Sequence, residues 1–277
     1  MFDHFFGAGG RIFDSAFIYN NGMGDKYLGK WMNSRGVQGE VIVIGKAAHT
    51  PHCEPKFIRP QIIESLERLQ TTKLDIFCLH RDNPEVPVSE FVDALTEVKN
   101  EGLIDLIGAS NWEFHRFSEA RDYASISGRE PFTVLSNNFS LAEMIEPVWP
   151  GCVGVTDQYL NYLIEEEVML FPWSSQARGF FIKQKEVMSS DHFSNPNLDE
   201  EIRVWHHEKN LKRRQVCFDI AEEKNVQPIQ IALAYVLHKS HLIFPLIGPR
   251  TVFETNSSIQ ASQINLTSKE LQALAQD

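Results

Sequence analysis

Unbroken apolar runs rich in Ile, Val, Leu and Phe recur along the chain at 11–14, 41–46, 74–80, 104–109, 132–137, 168–173 and 242–247. None shows the polar alternation of a half-exposed strand, so each reads as a strand buried on both faces. Helical spacing occupies the intervals. Arg59 to Leu69 sets Ile62, Ile63, Leu66 and Leu69 on one face, and Ser89 to Asn100 does the same with Val92, Leu95 and Val98. Gly102 offers the second of these helices a C-terminal stop. Thr156 is expected to cap a helix over 157–167. Pro228 suits the first turn of a helix running to about Lys239. Thr267-Ser268-Lys269-Glu270 spells a capping box for a final helix. Residues 182–208, polar and broken by Pro196, read as one long irregular stretch. Strand and helix alternate throughout, which predicts an α/β fold with a parallel sheet.

Length and charge narrow this picture. The chain has 277 residues, which suits a (β/α)8 barrel of about 250 residues read as one domain over 1–277. Its net charge of -11 argues against nucleic acid or an anionic membrane as partner. No apolar stretch approaches the roughly 20 residues of a membrane span. Met1-Phe2-Asp3-His4 lacks the basic start of a signal peptide. Cys53, Cys78, Cys152 and Cys217 show no ligand spacing and read as reduced thiols of a cytoplasmic protein. Gly7-Ala8-Gly9-Gly10 precedes a strand instead of following one, so it reads as a turn and not as a dinucleotide fingerprint.

The candidate chemistry lies at strand ends. Asp14 closes the first run, Tyr19 follows within one short loop, Lys46 ends the second run and His80 ends the third. In a parallel barrel the C-terminal strand ends share one face, and that face carries the chemistry. Singly, each residue has a plainer reading: a capping aspartate, a loop tyrosine, a strand-end histidine. Together they form a proton-donating set. A phenol with a pKa near 10 is a poor acid at neutral pH. A neighbouring ammonium lowers that pKa, a carboxylate holds the ammonium, and a histidine orients the carbonyl that receives the proton. Arg81-Asp82 reads as an ion pair that shapes the following loop. The other strand ends carry Ser110, Asn138 and Trp173 in place of convergent carboxylates, and no metal site is expected. Adjacent His206 and His207 would point about 100° apart on a helix and seldom share an ion.

Five motifs in order resemble the aldo-keto reductase family. They are Phe13-Asp14-Ser15-Ala16-Phe17-Ile18-Tyr19, Leu28-Gly29-Lys30, Ile44-Gly45-Lys46, Asp75-Ile76-Phe77-Cys78-Leu79-His80-Arg81 and Ile107-Gly108-Ala109-Ser110-Asn111. The resemblance implies a TIM-type barrel that reduces an aldehyde or ketone with NAD(P)H, with Tyr19 as general acid. It implies that Ser110 and Asn111 hold the nicotinamide carboxamide, with Asn138 standing where the family usually has glutamine. As a plainer reading, Asn111 caps the following helix. Trp173 takes the place of a tyrosine that stacks on the nicotinamide. Ser174, Gln176 and Arg178 fall in a loop along the pyrophosphate. Gly248 and Arg250 resemble the loop at the adenosine 2′-phosphate, where Arg250 favours NADP(H) over NAD(H). Glu254, usually Gln or Arg in the family, would repel that phosphate or accept bonds from a free ribose diol. Trp112, Trp149 and Phe139 are candidates for an apolar substrate pocket.

Seven runs are present where such a barrel has eight. The family's first strand and most of its first helix have no counterpart here. The strand at 11–14 and the run at 242–246 are therefore expected to face each other across a slot, with an edge open to another chain. This supports an alternative reading: a non-catalytic nucleotide-binding or partner-binding module, as in potassium-channel β subunits, or an inactive truncated product.

Overall fold

The computed structural model describes residues 1–182 and 198–276. Its sheet has six parallel strands in sequence order: β1 (Ile12–Asp14), β2 (Ile42–Ala47), β3 (Leu74–Leu79), β4 (Ile104–Ala109), β5 (Val134–Leu135) and β6 (Met169–Leu170). Each neighbour in space is the next in sequence, as in a singly wound barrel. The architecture is an incomplete TIM-type barrel. Helix α1 (Phe2–Gly7) precedes β1, and α2 (Met23–Arg35), α3 (Pro55–Leu69), α4 (Val88–Asn100), α5 (Phe114–Ser127) and α6 (Asp157–Glu165) fill the connections. After β6 come α7 (Leu198–Trp205), α8 (Glu208–Lys224), α9 (Pro228–Leu237), α10 (Val252–Ala261) and α11 (Ser268–Ala275).

The period-two alternation of each strand builds two apolar layers. Ile44, Ile76, Cys78, Val134 and Phe171 point inside the curl, with Ile12, Phe244 and Leu246 partly buried beside them. Phe13, Val43, Phe77, Leu79, Ile107 and Leu135 face outward into the larger core beneath the helices. The local caps form where the side chains demand them. Thr156 accepts from the amide of Tyr159 at 3.2 Å, and Thr267 and Glu270 make the capping box of α11. Gly10 ends the turn after α1, where an added Cβ would lie 2.3 Å from the Phe5 ring.

Three expectations are corrected. The run at 242–247 is not a full strand. The Leu170 amide donates to Leu242 O at 2.9 Å, Phe244 N donates to Leu170 O at 2.8 Å and Leu246 N to Pro172 O at 3.0 Å, but only a single bridge, Leu170 to Ile243, forms. Pro245 has no N–H to offer on the other side, and that side borders a cavity. Within the stretch expected to be irregular, 198–205 is helical; residues 183–197 lie outside the described residues. The strands at 132–137 and 168–173 also shorten to two residues each.

The cavity is the expected slot. About 540 Å³ separates Ile12–Asp14 from Ile243–Gly248, with Phe2 and Phe5 of α1 and Phe171 also lining it.

Candidate active site

Strand register brings the strand ends together. Asp14 pairs with Ile44, Lys46 with Cys78, and Leu79 with Ala109. The amide of His80 donates to Ala47 O at 2.7 Å and that of Ser110 to Leu79 O at 2.7 Å, which extends the ladder past the last strand residues. Asp14, Lys46, His80 and Ser110 therefore stand along one rim. The loop after β1 folds back onto it: Ser15 N donates to Ile44 O and Phe17 N to Lys46 O, each at 2.8 Å.

Lys46 is buried and forms an ion pair with Asp14. Burial alone would pull its ammonium pKa down. The Asp14 carboxylate and the nearby Tyr19 oppose that pull, and the net direction is upward, so the lysine stays charged. Its Nζ lies 5.5 Å from the centre of the Tyr19 ring. The Tyr19 ring meets His80 edge-on at 5.6 Å.

Tyr19 corrects one expectation. Its phenol pKa is raised, not lowered, because desolvation outweighs the Lys46 charge that acts in the opposite direction. The residue as a whole is 38% exposed, so the direction of the shift and not its size is what the site supports. His80 is held neutral. Desolvation, then Lys46, Arg81 and His49, push its pKa well below the ordinary histidine value. Its Nδ1 is buried without a hydrogen-bond partner among the described residues.

The Arg81–Asp82 pair does not form. Asp82 makes a two-pronged ion pair with Arg116, both bonds at 2.9 Å, whose fork suits a carboxylate better than any single contact. Arg81 turns back to donate to His80 O at 2.9 Å and reaches Cys152 Sγ at 3.6 Å. His49, three residues past Lys46, was not singled out in the sequence. Its ring lies 4.8 Å from that of His80. The signal was the same strand-end rule that marked Lys46.

The remaining candidates extend round the rim. Ser110 donates to Ser136 O at 2.6 Å, and Asn111 donates to Ser110 Oγ at 3.0 Å and to His80 O at 3.4 Å. Asn111 does not cap α5, whose N-cap is Glu113; its Oδ1 accepts from Val153 N because its left-handed backbone, φ 59°, turns it away from the helix. Asn138 donates to Trp173 O at 3.0 Å, and Trp173 stands 6.2 Å from the half-exposed Trp149 ring. The Trp173 Nε1 is buried without a partner among the described residues. Ser174 adopts φ 50° at the turn that follows. Gln176 accepts from Ser258 of α10 at 3.4 Å. Arg178 lies over the Trp149 ring at 5.2 Å and pairs with Glu200 at 2.6 Å. No Cβ would meet an obstacle at Gly248. Beyond it, Glu254 accepts from the amides of Arg250 at 2.5 Å and Thr251 at 3.3 Å, at the start of α10. Of the pocket candidates, Trp112 is wholly buried against Phe91 and Phe132, and Phe139 is also buried. Trp149 alone of the three reaches the surface.

The pattern of the Aldo/keto reductase family matches residues 1–276. The chain belongs to that family. Norsolorinic acid reductase B of Aspergillus parasiticus is 26% identical, over 99% of this chain and 72% of that protein. An aryl-alcohol dehydrogenase [NADP(+)] of Phanerodontia chrysosporium is 24% identical, over 99% and 74%. The crystal structure of a thermostable aldo-keto reductase in complex with the inhibitor epalrestat superposes with a TM-score of 0.72 at 21% identity, covering 94% of this chain and 80% of that one. That likeness shows the fold.

Proposed function

We propose that this aldo-keto reductase family member reduces an aldehyde or ketone to an alcohol with NAD(P)H, using Tyr19 as proton donor. The observation that carries this reading is the buried Lys46–Asp14 ion pair set beside the Tyr19 phenol and a neutral His80. A phenol kept protonated at neutral pH is a competent donor to a carbonyl oxygen that gains negative charge. The Lys46 ammonium stabilises the phenolate left behind, and Asp14 keeps that ammonium in place. A neutral imidazole at His80 donates a hydrogen bond to the same carbonyl oxygen.

A bound nicotinamide would supply the hydride. The residues fit such a group. The side-chain amide of Asn111 bonds to His80 O, that of Asn138 bonds to Trp173 O, and the Trp173 Nε1 is buried without a partner among the described residues. Ser110, Asn111, Asn138 and Trp173 would hold the nicotinamide end, and Ser174, Gln176 and Arg178 the phosphates. Gly248 and Arg250 would hold the adenosine end. NADP(H) is favoured over NAD(H) by Arg250, and a relative's name carries NADP(+). The names of the relatives, together with the surface-exposed Trp149 and Tyr19, favour an aromatic carbonyl or alcohol as substrate. Four free, buried cysteines support a reducing compartment such as the cytoplasm.

The test is Tyr19→Phe, assayed by NADPH oxidation over a panel of aryl aldehydes and by quenching of tryptophan fluorescence. Turnover is expected to fall about 100-fold or more, the scale of a lost general acid, while NADPH binding persists. Wild-type turnover in Tyr19→Phe would remove Tyr19 from the chemistry. The slot beside β1 opens onto Asp14 and favours a second reading, a non-catalytic nucleotide-binding or partner-binding module or an inactive product. NADPH binding without turnover by the wild-type chain on every aldehyde would support it.

A further inference from the structure

One buried acid is not used by the chemistry above. Asp25 lies in the first turn of α2 and is 1% exposed. One carboxylate oxygen accepts a hydrogen bond from the hydroxyl of Ser15, and the other, Oδ2, has no hydrogen-bond partner among the described residues. Stability alone gives no reason for this. A buried carboxylate with an unsatisfied oxygen costs more than an apolar side chain of similar size.

Its single bond reaches the segment that carries two site residues. Ser15 directly follows Asp14, and the segment ends at Tyr19. The start of α2 holds the far end, because the amides of Gly22 and Gly24 both donate to Tyr19 O at 3.1 Å. An added Cβ at Gly24 would lie 3.1 Å from the Tyr19 Cβ, so α2 abuts the tyrosine directly. Between these anchors Asn20 and Asn21 take left-handed φ values of 48° and 54° and reverse the chain. Asp25 thus connects to the segment's start at Ser15, while its neighbour Gly24 holds the segment's end at Tyr19.

We propose that Asp25, acting through the Ser15 hydroxyl, is a positioning residue that fixes Tyr19 relative to the Lys46–Asp14 pair. The proposal rests on the role assigned to Tyr19 above. It acts by geometry: a loop free to shift by about 1 Å loses alignment between donor and carbonyl, on the scale of 100-fold in rate.

The test compares Ser15→Ala, Ser15→Thr and Asp25→Asn with wild type. Turnover of 4-nitrobenzaldehyde with NADPH is measured alongside the ultraviolet titration of the Tyr19 phenol, isolated by subtracting the Tyr19→Phe signal. Ser15→Ala is expected to lower kcat about 10- to 100-fold with KM for NADPH nearly unchanged and the Tyr19 titration displaced. Ser15→Thr, which keeps the hydroxyl, is expected to restore both. Asp25→Asn, which keeps an acceptor oxygen, is expected to lie between. Ser15→Ala with wild-type kcat and an unmoved Tyr19 titration overturns the proposal, as does an equal loss in Ser15→Thr. Should Tyr19→Phe turn over normally, the catalytic reading fails, and the titration alone still decides whether Asp25 positions the phenol.

Discussion

Tyr19 and His80 show how burial and charge divide work within a few ångströms. Desolvation pushes the two pKa values in opposite directions, up for the phenol and down for the imidazole, because it always disfavours the charged form. Both groups are therefore neutral across the physiological range. The rate of carbonyl reduction should stay flat from neutral to mildly alkaline pH and fall only where the phenol ionises, since deprotonation removes the donor. Alcohol oxidation should rise with pH over the same alkaline limb, because there the phenolate is the required base. A pH–rate profile of both directions checks this. An apparent pKa near 7 on the alkaline limb of reduction would assign the proton to another group.

The dinucleotide preference also belongs to single residues. Glu254 accepts from the amides of Arg250 and Thr251, donors that an anion at the start of α10 would otherwise use. It is both a like charge to a 2′-phosphate and a competitor for those amides. Arg250→Ala should weaken NADPH binding by about 1.5–3 kcal/mol, the scale of a hydrogen bond to a charged group, and leave NADH nearly unchanged. Glu254→Gln should shift preference toward NADPH. Fluorescence titrations with both cofactors measure it, and equal losses for NADPH and NADH in Arg250→Ala would show that Arg250 does not read the phosphate.

At the scale of elements, helices were legible where a cap was read in the sequence, whereas the equally local Thr251–Glu254 capping box of α10 was passed over. Thr156, Pro228 and the Thr267–Glu270 box announced α6, α9 and α11, because a cap is made within one turn of the chain. Neither α5 nor α8 was singled out in the sequence, although each ends on a left-handed stop residue, Gly128 and Asn225. Both are largely polar at the surface, and their placement is decided by packing. Close approach was only half legible. Gly29 stood out as a family motif, but its reason is spatial: an added Cβ would lie 2.5 Å from the carbonyl carbon and oxygen of Leu69, at the end of α3. Backbone cannot yield as a flexible side chain does. Gly29→Ala should thus cost about 1–3 kcal/mol by overpacking, read from the urea midpoint. An unchanged or raised midpoint would mean that α2 and α3 are not in contact there.

At the scale of the whole molecule, the slot dominates. On either side of β1 the amide of Ser15 and the carbonyl of Arg11 bond to β2, and strand alternation then directs the main chain of Ile12 and Asp14 to the slot. Those groups have no neighbouring strand among the described residues. Amide exchange should be slow at Phe13 and Ser15 and faster by orders of magnitude at Ile12 and Asp14. Strong protection at all four positions in a monomeric sample would mean that the edge is covered. Protection that appears only in an oligomer would identify that edge as the surface which recruits another chain.

The apolar runs, the helix caps and the order of Asp14, Tyr19, Lys46, His80 and Ser110-Asn111 are properties of the sequence alone. They determined a parallel α/β sheet with its polar residues at one end, because strand burial and strand direction follow from local pattern and short connections. Tertiary structure decided what no local pattern encodes. It paired Asp82 with Arg116 across 34 positions of chain, raised the Tyr19 phenol pKa through desolvation, and turned Asn111 toward Val153 instead of α5. It also left 242–247 as a single bridge to Leu170, with its other side on the cavity. Each of these depends on which groups lie within a few ångströms in the folded chain, and residues far apart in sequence supply them.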